Sequence, residues 1–115
     1  MQNYDKAYEL AKQMKQSEEY QAYCEAKEKA FAEPLNKDLY KKFLEISRAA
    51  NAAHMAGQEP GAELVEQYNK LMGVLSLNTD VQNFMLAEHR LNQMIGDIFK
   101  ILADAVQVDL SFLED

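Results

Sequence analysis

Between residues 80 and 105 the apolar side chains recur at a spacing that only a long helix with one broad buried face satisfies. With Leu91 at heptad position a, Phe84, Leu91, Ile98 and Ala105 share that position. Ala87, Met94, Ile101 and Val108 fall at d, and Val81, Ile95 and Leu102 at e, where Glu88 is the polar exception. Met85 and Phe99 at b widen the face further. An a/d/e face is the width of a bundle helix that packs on several neighbours. A chain of 115 residues has few other helices with which to cover it. An apolar face that outruns its own chain predicts self-association, most often as a two-fold dimer.

The rest of the chain is built for the same class. Gly and Pro are scarce, at four and two, while Ala, Leu, Glu, Lys, Gln and Met abound. These are good helix formers, and the Val and Thr that strands favour are few. The stripe Tyr4, Ala7, Tyr8, Ala11, Met14 predicts a first helix from about Asn3 to Gln16, with Asn3 as its cap. Ser17 offers the next cap. Tyr20, Tyr23, Cys24, Lys27, Ala30 and Phe31 then carry a second helix to Glu33, stopped by Pro34. Asn36 is the expected cap of a third, with the stripe Leu39, Phe43, Ile46, Ala50, Ala53 and an end near Gly57. Pro60 is expected in the first turn of a fourth helix marked by Leu64, Tyr68, Leu71, Met72 and Leu75. Thr79 to Gln82 reads T-D-V-Q, a capping box that opens the long last helix, Asp80 to Ala105. The expected fold is all-α: an elongated bundle of about five helices with a long C-terminal helix, intertwined with a second copy. Residues 1–106 form one helical domain and 107–115 a tail, which Leu110, Phe112 and Leu113 can dock.

Several function classes find no support in the residues. Cys24 is the single cysteine, so an intramolecular disulfide is impossible, and its neighbours Tyr20, Tyr23 and Ala26 suggest a small buried hydrophobe. Residues 1–16 read as a charged amphipathic helix without an apolar h-region, so no signal peptide is expected, and no apolar run nears the ~18 residues of a membrane span. A cytoplasmic protein is expected. Residues 1–48 hold nine Lys/Arg and nine Asp/Glu, whereas 49–115 hold three and ten, so all of the net −7 lies in the second part. Such a surface repels a phosphate backbone, which argues against direct nucleic-acid binding. No Glu-x-x-His, H-E-x-x-H, cysteine pair or EF-hand loop offers metal ligands at working spacing. Neither a G-x-S-x-G nucleophile turn nor a glycine-rich phosphate loop occurs. No catalytic, cofactor-binding or metal-ligating residue is therefore assigned, and no cofactor is expected.

The adjacent Glu88, His89 and Arg90 look like an acid–base cluster until they are placed on the helix. His89 falls at f, away from the seam, as an exposed residue. His54, the other histidine, lies at the edge of the third helix's stripe, where partial packing is expected. Glu88 borders the apolar face and Arg90 lies on its far flank, so the two are candidates to pair across a dimer axis rather than within one helix. The candidate packing or dimer interface is Phe84, Glu88, Arg90, Leu91, Met94, Ile95, Ile98, Ile101 and Leu102.

Three stretches, QSEEYQAYCEA from residue 16, AGQEPGAELVEQYNKL from 56 and MLAEHRLNQMIGDIFKIL from 85, carry a family likeness. Its most specific parts are E-x-R-L-N at Glu88, Arg90, Leu91 and Asn92, and I-x-D-I at Ile95, Asp97 and Ile98. The chain resembles the YheA-like branch of the YlbF/YmcA family of small bacterial proteins, over almost its whole length and in order. That resemblance implies an all-helical, dimeric, non-enzymatic protein. Studied relatives are linked to competence, sporulation and biofilm formation, and some act in a complex that influences mRNA processing by RNase Y. The implied partners are a second copy, other family proteins or an RNA-processing complex. Some relatives carry cysteines associated with iron–sulfur clusters; Cys24 alone cannot build a four-cysteine site.

The expected role is that of a regulatory or adaptor protein working by protein–protein contact. The alternative is a small helical ligand-binding protein or enzyme with a cleft between subunits. A Tyr-lined pocket with a perturbed carboxylate would favour that alternative.

Overall fold

The computed structural model describes residues 1–107, and the expected tail lies outside the described residues from 108 on, as does Val108. Five helices follow one another: α1 (Gln2–Lys15), α2 (Glu18–Phe31), α3 (Pro34–Met55), α4 (Ala62–Leu75) and α5 (Thr79–Ala105). No strand occurs among the described residues. The all-α expectation and the long last helix are both observed.

Each break between helices has a local cause. Ser17 caps α2, its Oγ accepting from the Tyr20 N–H at 3.2 Å and its hydroxyl donating to the Met14 carbonyl. Glu33 is extended (φ −95°, ψ 115°), the conformation a following proline imposes, and Pro34 is the first residue of α3. At the other end of α3, Gly57 adopts φ +75°. Its N–H donates to the His54 carbonyl at 3.0 Å, and the Gln58 N–H donates to that of Ala53 at 2.8 Å. This is a Schellman closure, which needs a residue free to enter the left-handed region.

Four capping expectations are corrected. Asn3 lies inside α1, which starts from Met1 without a side-chain cap. Pro60 stands just outside α4, whose N-cap is Gly61. The N-cap of α5 is Asn78, whose Oδ1 accepts from the Val81 N–H at 3.1 Å, and Gln82 reaches back to the Leu75 carbonyl at 2.8 Å instead of closing a box with Thr79. Asn36 does not cap α3, because Pro34 has already started that helix. It is buried, 7% exposed. Its Nδ2 donates to the Ala30 carbonyl at 2.7 Å, and its Oδ1 accepts from Asn78 Nδ2 at 2.7 Å. The two asparagines tie the end of α2, the start of α3 and the entry to α5 into one node.

The helices pack as two antiparallel pairs. α2 lies along α5 in the most extensive helix contact, with Lys29 near Asp80, Tyr23 against Phe84 and Glu19 beside Met94. α3 and α4 form the second pair. The pairs meet at the start of α5, where Ile46, Leu71, Leu75 and Val81 are buried under Leu39, Phe43, Leu64, Met72 and Met85. The molecule is broad and thin, 48 × 45 × 17 Å. Its radius of gyration is 19.1 Å, against ~13 Å for a compact chain of this length. α1 buries no residue and touches the remainder lightly, mainly at α2.

Candidate functional site

The centre of the α2–α5 pair is aromatic. Phe84 is 2% exposed and sits among three rings, with centroids 5.5 Å from Tyr23, 4.8 Å from Phe31 and 5.1 Å from Tyr40. The Phe31 and Tyr40 contacts are edge-on, the arrangement that sets a ring's positive edge against a neighbour's negative face. One turn beyond Phe84, Glu88 comes under α3, and the Tyr40 hydroxyl lies 2.7 Å from both of its carboxylate oxygens, donating its single proton between them. Burial pushes the Tyr40 phenol well above its ordinary range, and the Glu88 carboxylate that accepts its proton adds to the rise. The pair is therefore a neutral donor locked on an acceptor. With its proton held so firmly, this phenol is a poor acid and an unavailable base.

A second feature lies between α3 and α4. A groove of about 350 Å³ is lined by Ile46, Ser47, Ala50, Pro60, Leu64, Val65 and Tyr68. Its lining is apolar apart from two hydroxyls and carries no charged side chain. No cluster of His, Cys, Asp or Glu suited to a metal occurs among the described residues.

The third feature is the uncovered half of α5. Its buried residues, Val81, Phe84 and Ala87, all lie upstream. Downstream, Ile95, Phe99, Ile101 and Leu102 are exposed although they continue the same face.

The residues singled out from sequence distribute over these features. Phe84 is sealed in the aromatic cluster, and Glu88 is engaged by Tyr40 of its own chain. Leu91, Met94 and Ile98 are half-buried, Met94 and Ile98 beside Glu19 of α2, while Ile95, Ile101 and Leu102 face solvent. Arg90 lies on the surface with Gln93 and Asp97, and His89 is exposed, as its f position requires. Two expectations are corrected. Cys24 is exposed, because α5 covers a narrower line of α2, through Tyr23, Ala26 and Ala30. His54 is exposed because it stands in the last turn of α3, where the chain is already leaving the helix pair.

Tyr40 lies off the stripe of Leu39, Phe43 and Ile46 by which the sequence marks this helix. Glu88 lies 48 positions away, so no local pattern links the two. The polar exception at Glu88 was the only trace of this contact.

Comparison with known proteins gives a consistent result. Residues 3–107 match the family described as control of competence regulator ComK, YlbF/YmcA. The UPF0342 protein of Symbiobacterium thermophilum is 33% identical over 109 residues, covering 95% of this chain and 97% of its own. The UPF0342 protein of Caldicellulosiruptor bescii is 33% identical over 104 residues, 90% of this chain and 87% of its own. That of Clostridium tetani is 32% identical over 109 residues, 95% and 94%.

Proposed function

The chain belongs to the YlbF/YmcA family, and on that footing we propose that it is a regulatory protein of the YheA-like branch that acts by protein–protein contact and catalyses no reaction. It works in the cytoplasm, as a homodimer, in an adaptor role. The observation that carries this reading is the distribution of apolar surface. Large side chains stand open on α4 (Val65, Tyr68, Val74) and on α5 (Ile95, Phe99, Leu102), in helices whose other faces are packed. Faces of this kind are what helical contact proteins present to partners.

The Tyr40–Glu88 pair supports the same reading from the chemical side. It holds a phenol and a carboxylate closed on one another, so that neither is presented to a substrate. The groove between α3 and α4 favours a ligand-binding protein by its size, since small-molecule sites begin near ~300 Å³. It lacks the convergent polar groups that orient a ligand, having only the Ser47 and Tyr68 hydroxyls.

The family description points to control of competence, and the processes linked to studied relatives add sporulation, biofilm formation and mRNA processing. The test is deletion of the gene in its native cell, scored for these four outputs, with complementation. A change in at least one, restored by the wild-type chain, is expected. Wild-type behaviour in all four overturns the regulatory assignment.

A further inference from the structure

The groove between α3 and α4 exists because its two walls differ in size. α3 contributes the small side chains of Ser47 and Ala50, and α4 the large ones of Leu64, Val65 and Tyr68. The hollow between them measures about 350 Å³. Its floor is Ile46, which is 3% exposed and belongs to the buried core, and Leu64 packs on that same core. Val65 and Tyr68 keep 45% and 42% of their surface open. The lining comes from α3, α4 and Pro60 alone, so the groove is an open edge of the core between two helices.

Apolar character is the first property that selects an occupant. A cavity of ~150 Å³ admits one benzene-sized group, so this groove holds about two large side chains. On a helix, side chains at three- or four-residue spacing stand ~5–6 Å apart on one face. The Ser47 and Tyr68 hydroxyls give a free small molecule little to orient it. A helix brings its side chains already spaced and is held by contacts along its length.

Charge is the second property. Residues 49–69, which supply Ala50, Pro60, Leu64, Val65 and Tyr68 to the lining, contain Glu59, Glu63 and Glu66 but no Lys or Arg. Glu66 is paired with Lys70 at 3.2 Å. Glu59 and Glu63, next in sequence to Pro60 and Leu64, are exposed and make no salt bridge among the described residues. This charge attracts a helix with lysine or arginine beside its apolar face and repels an acidic one.

We infer that the α3–α4 groove receives an amphipathic helix of a partner protein, which fills the hollow beside Ser47 and Ala50 with leucine-sized side chains and carries basic residues on its flanks. The inference rests on the reading of the chain as a contact protein and names the surface and the class of partner.

The test is calorimetric titration of the full chain with a synthetic Leu/Lys peptide of ~15 residues, apolar at helical spacing. One peptide per chain is expected to bind. The same peptide with Glu for Lys should bind at least about tenfold more weakly, and with Ser for Leu it should not bind. Ala50→Leu fills the hollow without changing charge and should weaken the Leu/Lys peptide at least about tenfold. Val65→Ser, on the open rim, should weaken it at least about threefold and serves where Ala50→Leu loses its fold. Glu59→Gln with Glu63→Gln should narrow the preference for Lys over Glu by about threefold or more. Affinity unmoved by the groove variants places the peptide elsewhere on this acidic chain and overturns the groove. Equal affinity for the Lys and Glu peptides overturns the basic partner. A fall in molar mass by sedimentation when Ala50→Leu fills the groove assigns it to a second copy and overturns the proposal. Each of these failures leaves the deletion phenotypes, which test the regulatory reading, unchanged.

Discussion

The hydroxyl of Tyr40 reaches Glu88 across 48 residues of sequence and stands 2.7 Å from both carboxylate oxygens. This contact joins α3 to α5 beside the buried ring of Phe84, and it settles the orientation of the one acidic group on the inner face of α5. A hydrogen bond to a charged acceptor contributes ~1.5–3 kcal/mol when sheltered, and partial exposure of this pair sets the lower end. Tyr40→Phe is therefore expected to destabilise the fold by ~1–2 kcal/mol, read as a lower urea midpoint with an unchanged slope. Glu88→Gln, which keeps an acceptor oxygen, should cost less.

The same pair predicts an alkaline transition. Burial and the Glu88 carboxylate raise the Tyr40 phenol in the folded state above its unfolded value near ~10. A raised folded value means that the contribution is complete below the unfolded pKa and is lost as pH rises through the folded one. From Tyr40, stability should be flat between pH 7 and about 9 and decline above ~10. Urea midpoints at pH 8 and pH 11 check this, and the decline should be smaller in Tyr40→Phe. An equal decline in both proteins would assign it to other groups.

Phe84→Ala should be among the most damaging single changes in the chain. The ring is 2% exposed and touches Tyr23, Phe31 and Tyr40, so truncation removes its transfer energy and leaves a hole between rigid rings. Buried Phe→Ala changes cost ~3–5 kcal/mol, a large share of the ~5–15 kcal/mol that holds a typical domain together. Chemical denaturation of the variant should show a midpoint near that of a marginal protein, with retained helicity in buffer.

What could be read from sequence follows the range of the forces involved. Helix number and order were legible because periodicity, Pro34 and Gly57 act within a few residues. The structure buries Phe84 and half-buries Leu91 on the apolar stripe of α5. Asn36 and Asn78 mark where this stops. Each is a good cap by type, yet Pro34 pre-empts one, and the 42-residue separation between them hides the bond that fixes both. Cys24 lies 100° around α2 from Tyr23, and only the placement of α5 decides how far round the helix the covered face extends. The exposed end of α5 shows the same limit, because periodicity reports that a face is apolar without naming the chain that buries it.

The asparagine node offers a measurement of coupling. Asn36→Ala removes the donor to the Ala30 carbonyl and the acceptor for Asn78 Nδ2, in a buried setting. Asn78→Ala removes the same inter-side-chain bond together with the cap on Val81. Lost caps cost ~0.5–2 kcal/mol and unsatisfied buried groups ~1–3 kcal/mol, so each single change is expected to cost ~1–3 kcal/mol. The double variant should cost less than the sum by ~0.5–2 kcal/mol, because the shared bond is lost only once. Additive losses would show that the two residues act separately, one as a cap and the other as a tie to α2.

Amide exchange separates the stability of α1 from that of the remaining helices. α1 buries no residue in its own chain, and a 14-residue helix without packing is marginal in water. The amides of α1 should therefore exchange close to the rate of an unprotected peptide. Those around Val81, Phe84 and Ala87 should keep the protection of global unfolding, since these residues are sealed by α2, α3 and α4. Protection of α1 equal to that around Phe84 would show that this helix is covered and overturn the expectation.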